Sequence, residues 1–139
     1  LGGRGAERLD QALKGVLLDT HAWAWSLSTE PRLTPKALEA IAGAELVFVS
    51  PISFFEVAQK VRLGKWPEME PFVGRLGAIL EEQGGLAADF TPDICLRAGL
   101  MDWDHRDPFD RLIVATAQVM GLQLISADTV FDGLVARTW

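Results

Sequence analysis

The sequence predicts an α/β domain built on a parallel sheet with helices on both faces. Three observations predict it. Short, mostly apolar runs of strand length recur, such as Leu46-Val47-Phe48-Val49 and Leu122-Gln123-Leu124-Ile125. Pairs of a capping residue and a proline open helices at Thr34-Pro35, Ser50-Pro51, Thr91-Pro92 and Asp107-Pro108. The two kinds of signal alternate along the chain. A strand buried on both faces reads as a continuous apolar run, and such strands separated by helices belong to covered parallel sheets.

In chain order, Leu1 to Lys14 begin without Met, carry Gly2, Gly3 and Gly5, and lack a strand pattern. They are set aside as a leader or expression remnant, which leaves residues 15–139 as the domain. Gly15-Val16-Leu17-Leu18 is a buried strand ending at Asp19, and a turn of helix follows through Ala22 to Leu27. Thr34 caps a helix with Pro35 in its first position, running to about Ala42.

Leu46 to Val49 is the second strand. Ser50-Pro51 then starts a helix through Glu56 to about Leu63, with Gly64 as its stop. Met69, Phe72, Val73, Leu76, Ile79 and Leu80 share one helical face up to Gly84-Gly85. Leu86 to Phe90 is a short third strand, and Thr91-Pro92 opens a helix toward Met101. Asp107-Pro108 opens the last long helix, whose Leu112 to Ala115 segment is apolar nearly all round. Leu122 to Ile125 is the fourth strand, Ser126-Ala127-Asp128 its exit, and Leu134 to Thr138 a candidate fifth.

A chain of 139 residues, 49% hydrophobic and 23% charged, has the material for one packed core. The one cysteine, Cys95, has no internal disulfide partner, and no apolar run approaches the roughly 20 residues that cross a bilayer. A cytoplasmic setting is expected. The net charge of −6 excludes a surface that attracts nucleic acid everywhere. A nuclease reading therefore requires the acidity to be gathered in a cation site with basic residues at its rim.

The acids are placed for such a site. In open parallel sheets ligands bind beyond the carboxyl ends of the strands. Asp19 follows the first strand and Asp128 the fourth; Glu56 lies in the second turn of the helix that leaves the second strand. With Asp107 as cap and Pro108 as first residue, Asp110 is third in its helix, near the positive end of the dipole. Clustered carboxylates repel one another, and a hard divalent cation with oxygen ligands relieves the conflict, which suits Mg²⁺ or Mn²⁺. Such an ion supports phosphodiester hydrolysis by orienting the ester and activating water. His21, His105 and Cys95 lack zinc-site spacing, and no Ser/His/Asp triad competes.

Each acid also has an ordinary local job. Asp19 suits an N-cap, Glu56 can pair with Lys60 one turn on, Asp107 and Asp110 suit a helix start, and Asp128 suits a turn. Capping does not, however, place acids at matching sheet-edge positions in four segments. Lys60, Arg62, Lys65, Arg106 and Arg111 are candidates for meeting RNA phosphates, against the ordinary role of solvated surface. Trp23, Trp25, Phe54 and Phe55 are read first as core, as is the Met69 to Leu80 stripe.

The chain resembles the PIN-domain family, and within it the VapC toxins of toxin–antitoxin pairs. The resemblance is carried by Leu17-Leu18-Asp19-Thr20-His21-Ala22-Trp23, by Ser50-Pro51-Ile52-Ser53-Phe54-Phe55-Glu56-Val57-Ala58 with Lys60 and Gly64-Lys65, by His105-Arg106-Asp107-Pro108-Phe109-Asp110-Arg111-Leu112, and by Leu124-Ile125-Ser126-Ala127-Asp128. It implies a three-layer α/β/α sandwich with a central, mostly parallel five-stranded sheet. It also implies a Mg²⁺- or Mn²⁺-dependent ribonuclease, a homodimer and a VapB-type antitoxin partner. By motif position the metal and catalytic acids are Asp19, Glu56, Asp110 and Asp128, with Asp107 supporting.

The alternatives are a PIN nuclease of RNA processing or DNA cleavage, and a non-catalytic PIN scaffold. A phosphoacceptor domain would need an acid pair after the first strand and a lysine after the last. An aspartyl phosphatase would need an acid where His21 stands.

Overall fold

Gly15–Leu18 forms β1, the middle strand of the sheet, in a computed structural model that describes residues 15–28 and 32–139. The expected leader, residues 1–14, lies outside the described residues. All four residues of β1 are buried. Val16 and Leu18 face one apolar cluster with Trp23, Val49, Val57 and Ile125, while Leu17 faces the other with Ile113, Val114, Leu124 and Phe131. Neighbouring side chains of a strand point to opposite faces, so burial of both sets requires a layer of helices on each side.

The remaining strands are β2 (Leu46–Val49), β3 (Leu86–Ala87), β4 (Gln123–Ile125) and β5 (Arg137–Thr138). Every pairing is parallel and the order is β3-β2-β1-β4-β5. The three-layer sandwich and five-stranded sheet expected from the sequence are present. The chain builds outward from β1 through β2 to β3, then returns to lay β4 on the other side of β1. That reversal puts the topological switch point, where open parallel sheets hold ligands, between β1 and β4. Gly15 admits the close approach: a Cβ there would meet Leu122 Cδ2 at 2.9 Å and Phe48 at 3.2 Å.

Seven α-helices are described: α1 (Thr20–Ser26), α2 (Pro35–Gly43), α3 (Pro51–Arg62), α4 (Glu70–Val73), α5 (Leu76–Glu82), α6 (Pro92–Leu100) and α7 (Pro108–Met120). The cap-and-proline signals operate as the sequence suggests. The side chains of Thr34, Ser50, Thr91 and Asp107 each accept a hydrogen bond from a backbone N–H in the first turn of the helix that follows. Gly121 ends α7 with φ 65°, a left-handed conformation that glycine adopts without a Cβ penalty.

Three expectations are corrected. The Met69 to Leu80 stripe is broken into a 3₁₀ turn (Pro67–Met69), α4 and α5, because Gly74 and Arg75 interrupt it and Arg75 takes φ −125°, ψ 12°. Glycine is a poor helix former, so the break falls there. The edge strands β3 and β5 are shorter than their apolar runs. Phe55 is 57% exposed, since its position on α3 faces away from the face carrying buried Ser53, Glu56 and Val57. No helix among the described residues is long and apolar enough to cross a membrane.

Candidate active site

The crevice beyond β1 and β4 is a cavity of about 520 Å³, lined by Asp19, Glu56, Asp107, Asp110 and Asp128 together with Lys60, Thr20, His21 and Trp25. All four acids singled out from the sequence, and the supporting Asp107, therefore come to one place. Five carboxylates face one lysine ammonium there, which concentrates much of the chain's negative charge.

Asp19 emerges where β1 and β4 are still paired, its N–H donating to the Ile125 carbonyl at 3.1 Å. Its Oδ1 accepts from Ala22 N at 2.7 Å, capping α1. The buried Ser126 side chain accepts from Asp128 N at 3.0 Å and favours the charged form of the Asp19 carboxylate, so it serves the exits of both β1 and β4. Asp128 is exposed, and its Oδ1 accepts from Val130 N at 3.0 Å to cap a 3₁₀ turn (Thr129–Phe131).

Glu56 is buried and its Oε2 lies 2.6 Å from Lys60 Nζ, one helical turn on. Three residues before it, Ser53 shares a buried 2.8 Å hydrogen bond with Thr20 that fastens α3 to α1. Asp110 Oδ2 lies 2.6 Å from His105 Nε2, and the His105 ring packs on Trp103 at 4.8 Å. Asp107 Oδ1 accepts from Phe109 N at 2.8 Å. Among the described residues, the three potential metal donors within 4.8 Å of one another belong to His105, Asp107 and Asp110. Asp19, Glu56 and Asp128 stand around the same cavity but are drawn aside by Ala22, Lys60 and Val130.

Burial governs the electrostatics of the two shifted acids. Burial pushes the Asp19 carboxyl above the ordinary aspartate value, against the hydrogen bonds from Ser126 and Ala22, and the Glu56 charge adds to the rise. Burial also raises Asp110; the His105 hydrogen bond opposes this, while the charges of Asp107 and Glu56 reinforce it.

Of the five cations named from the sequence, Lys60 lines the cavity. Arg62, Lys65 and Arg106 are exposed residues outside that lining. Arg111 is engaged elsewhere. Its Nε donates to Ala98 O at 2.8 Å, its Nη1 to Trp103 O at 2.8 Å and His105 O at 2.9 Å, and its Nη2 to Gly99 O and Met101 O. A guanidinium at the carboxyl end of α6 is favoured by the helix dipole, and here it also shapes the 101–106 loop that delivers His105.

Sequence reasoning missed Ser126, Thr20 and Ser53 as connectors and His105 as the partner of Asp110. His105 stands five residues before Asp110 in a motif already singled out, and that spacing is the signal that was available.

A cavity with five acids, one lysine and an adjacent histidine favours a divalent cation and, through it, a phosphate ester. Comparison with known proteins bears on that chemistry. A family model described as the PIN domain matches residues 16–135. Over 114 residues the chain is 32% identical to the ribonuclease VapC22 of Mycobacterium tuberculosis (strain ATCC 25618 / H37Rv), covering 81% of this chain and 86% of that protein.

Solved structures share the fold. A toxin–antitoxin complex from Klebsiella pneumoniae aligns with TM-score 0.59 and 21% identity, covering 88% of this chain and 94% of the other. FitAcB from Neisseria gonorrhoeae aligns with TM-score 0.55 and 23% identity, covering 88% and 95%. With the family model spanning β1 through the approach to β5, and acids meeting at the β1/β4 switch point, the chain belongs to the PIN-domain family.

Proposed function

We propose that this protein is a metal-dependent ribonuclease and the toxin of a VapBC-type toxin–antitoxin pair. The observation that carries the reading is the convergence of Asp19, Glu56, Asp110 and Asp128 on one cavity at the β1/β4 switch point. Support comes from PIN-family membership and from the 32% identity with ribonuclease VapC22.

The donor set fits a Mg²⁺ or Mn²⁺ ion, because hard oxygen ligands predominate and five carboxylates share the lining with a single lysine. Asp19, Glu56, Asp110 and Asp128 would hold it, with Asp107 in support. Bound there, the ion would supply an activated water and neutralise charge on the phosphate. The chain's own residues orient the reaction. Lys60, paired with Glu56 at the cavity wall, is the cation placed to meet a phosphate oxygen, and His105 sets the rotamer of Asp110.

Purified protein should cut single-stranded RNA in Mn²⁺, lose the activity in EDTA, and lose it with Asp110→Asn. Persistent cleavage by Asp110→Asn in EDTA would refute the proposed site.

The partner is an antitoxin of the VapB type. A groove of carboxylates attracts a positioned Arg or Lys, and a guanidinium pairs with carboxylates through two parallel hydrogen bonds. We further propose a homodimer, on the resemblance to the VapC group, testable by sedimentation of the free chain.

A further inference from the structure

Beside the acidic cavity lies a second one of about 420 Å³, a size found in small-ligand sites. Its walls include His21, Trp25, Trp66 and Phe72, with Arg32 and Glu68 among its polar residues. His21 and Trp25 line both cavities, so the two adjoin at these rings.

The rings form a file. Trp25 meets His21 at 5.8 Å, and His21 stacks on Trp66 at 4.8 Å with the planes 30° apart. His21 is exposed and both indoles are half-buried, so the file presents aromatic surface while Trp66 also packs on the core. Cations stand over its members: Arg32 is 5.9 Å from the Trp25 ring, and Lys60 Nζ is 5.5 Å from the Trp66 ring while bonded to Glu56.

We propose that this aromatic cavity is a nucleobase subsite, receiving the base next to the phosphodiester held at the acids. The inference rests on the ribonuclease reading and deepens it. A ligand that fills both cavities must carry an anionic ester for one and a flat ring for the other, joined closely enough to turn the corner at His21 and Trp25. A nucleotide in a single strand has that composition. Flat bases stack on indole and imidazole faces whatever their identity, and the cations beside the rings suit the sugar-phosphate chain. Docking of a partner helix on the same rings is the alternative outcome, and the variants below separate it from base stacking.

Trp66 is the residue to test, because it lines the second cavity without lining the first. Trp66→Leu keeps apolar bulk and removes the aromatic face; Trp66→Phe restores a ring. A short single-stranded RNA cut by the wild type is prepared intact and with an abasic nucleotide at each position flanking the scissile bond. In the wild type, one abasic position should lower kcat/KM by roughly tenfold or more, the loss of one base–aromatic stack. Trp66→Leu should show a similar loss on intact RNA and little further loss on the abasic RNA, whereas Trp66→Phe should retain most of the wild-type sensitivity.

Losses that multiply in Trp66→Leu would mean that base and ring do not meet, overturning the subsite while leaving the ribonuclease reading in place. Unchanged RNA cleavage by Trp66→Leu, with weakened binding of an inhibitor protein, would assign the cavity to a protein partner and likewise overturn it. Failure of the wild type to cut any intact RNA in Mn²⁺ would overturn both.

Discussion

Replacing Arg111 with methionine should destabilise the domain and loosen its active site together. The side chain donates to backbone carbonyls of Ala98 and Gly99 at the end of α6, and of Met101, Trp103 and His105 in the loop beyond. Three of these bonds, at 2.8, 2.8 and 2.9 Å, have good geometry. Net contributions of about 1 kcal/mol for each, somewhat more because the donor is charged, give a loss of roughly 3–5 kcal/mol. Arg111 is half-buried and water can recover part of the bonding, so about 3 kcal/mol is expected.

For a domain of this size that lowers Tm by roughly 10 °C, at about 3–4 °C per kcal/mol. Lysine keeps the charge but offers donors from a single nitrogen, so Arg111→Lys should recover only part of the loss. Thermal melts in EDTA measure the fold, and Mn²⁺ titration of the same samples measures the site. Mn²⁺ affinity should fall as well, because the loop that brings His105 to Asp110 is no longer held. An Arg111→Met protein melting within about 2 °C of the wild type would refute the clamp.

Neutralising the crowded acids should have the opposite effect on stability. Asp19→Asn and Asp110→Asn are each expected to abolish RNA cleavage while keeping or raising the Tm measured in EDTA, and full activity in both would reject the site. Because burial holds both carboxyls above the ordinary 3.8, the folded state binds more protons than the unfolded one in the interval just above that value. Their contribution to metal-free stability therefore increases as pH falls from neutral toward about 4, with no further gain below. Denaturation midpoints across that range should flatten in the Asp19→Asn, Asp110→Asn double variant. Mn²⁺ should raise the wild-type Tm by mass action, by about 2.7 kcal/mol at a hundredfold excess over its Kd, and an unchanged melt in millimolar Mn²⁺ would argue against a formed site. An inhibitor that places a cation among the acids should lower Mn²⁺ affinity by the factor that Mn²⁺ lowers inhibitor affinity; calorimetry with and without the metal tests this.

What could be read from the sequence was whatever is decided locally or by strict periodicity. Thr34-Pro35 and Ser50-Pro51 open their helices because a capping hydroxyl and a fixed φ act within one turn. Leu17 between Val16 and Leu18 marks burial on both faces, since alternation leaves no polar side. From there, acids at strand exits followed by topology. The hidden features depend on contacts between distant segments. Ser126, which holds Asp128, acts on the Asp19 carboxylate only because β4 returns beside β1, and Arg111 turns inward only because the end of α6 and the 101–106 loop present carbonyls to it. Phe55 was misread because an aromatic residue on a helix gives no sign of its face when its neighbours Phe54 and Val57 are apolar too.

The ordinary jobs of the acids and their proposed chemical role support each other. Asp19, Asp107 and Asp128 each use Oδ1 to accept from a backbone N–H, of Ala22, Phe109 and Val130. A peptide N–H fixes a carboxylate in place but carries no net charge, so capping positions the acid and leaves its negative charge in the cavity. Lys60 is the fixed cation on the lining, and it lies against Glu56. The fold thus assembles charge with neutral donors and leaves most of the compensation to a ligand. It follows that asparagine, which caps helices about as well as aspartate, separates the two roles. In Asp19→Asn the hydrogen bond to Ala22 can persist while the charge disappears. Loss of activity and metal binding with an intact Tm would then be the signature of a residue that folds the site by its shape and works in it by its charge.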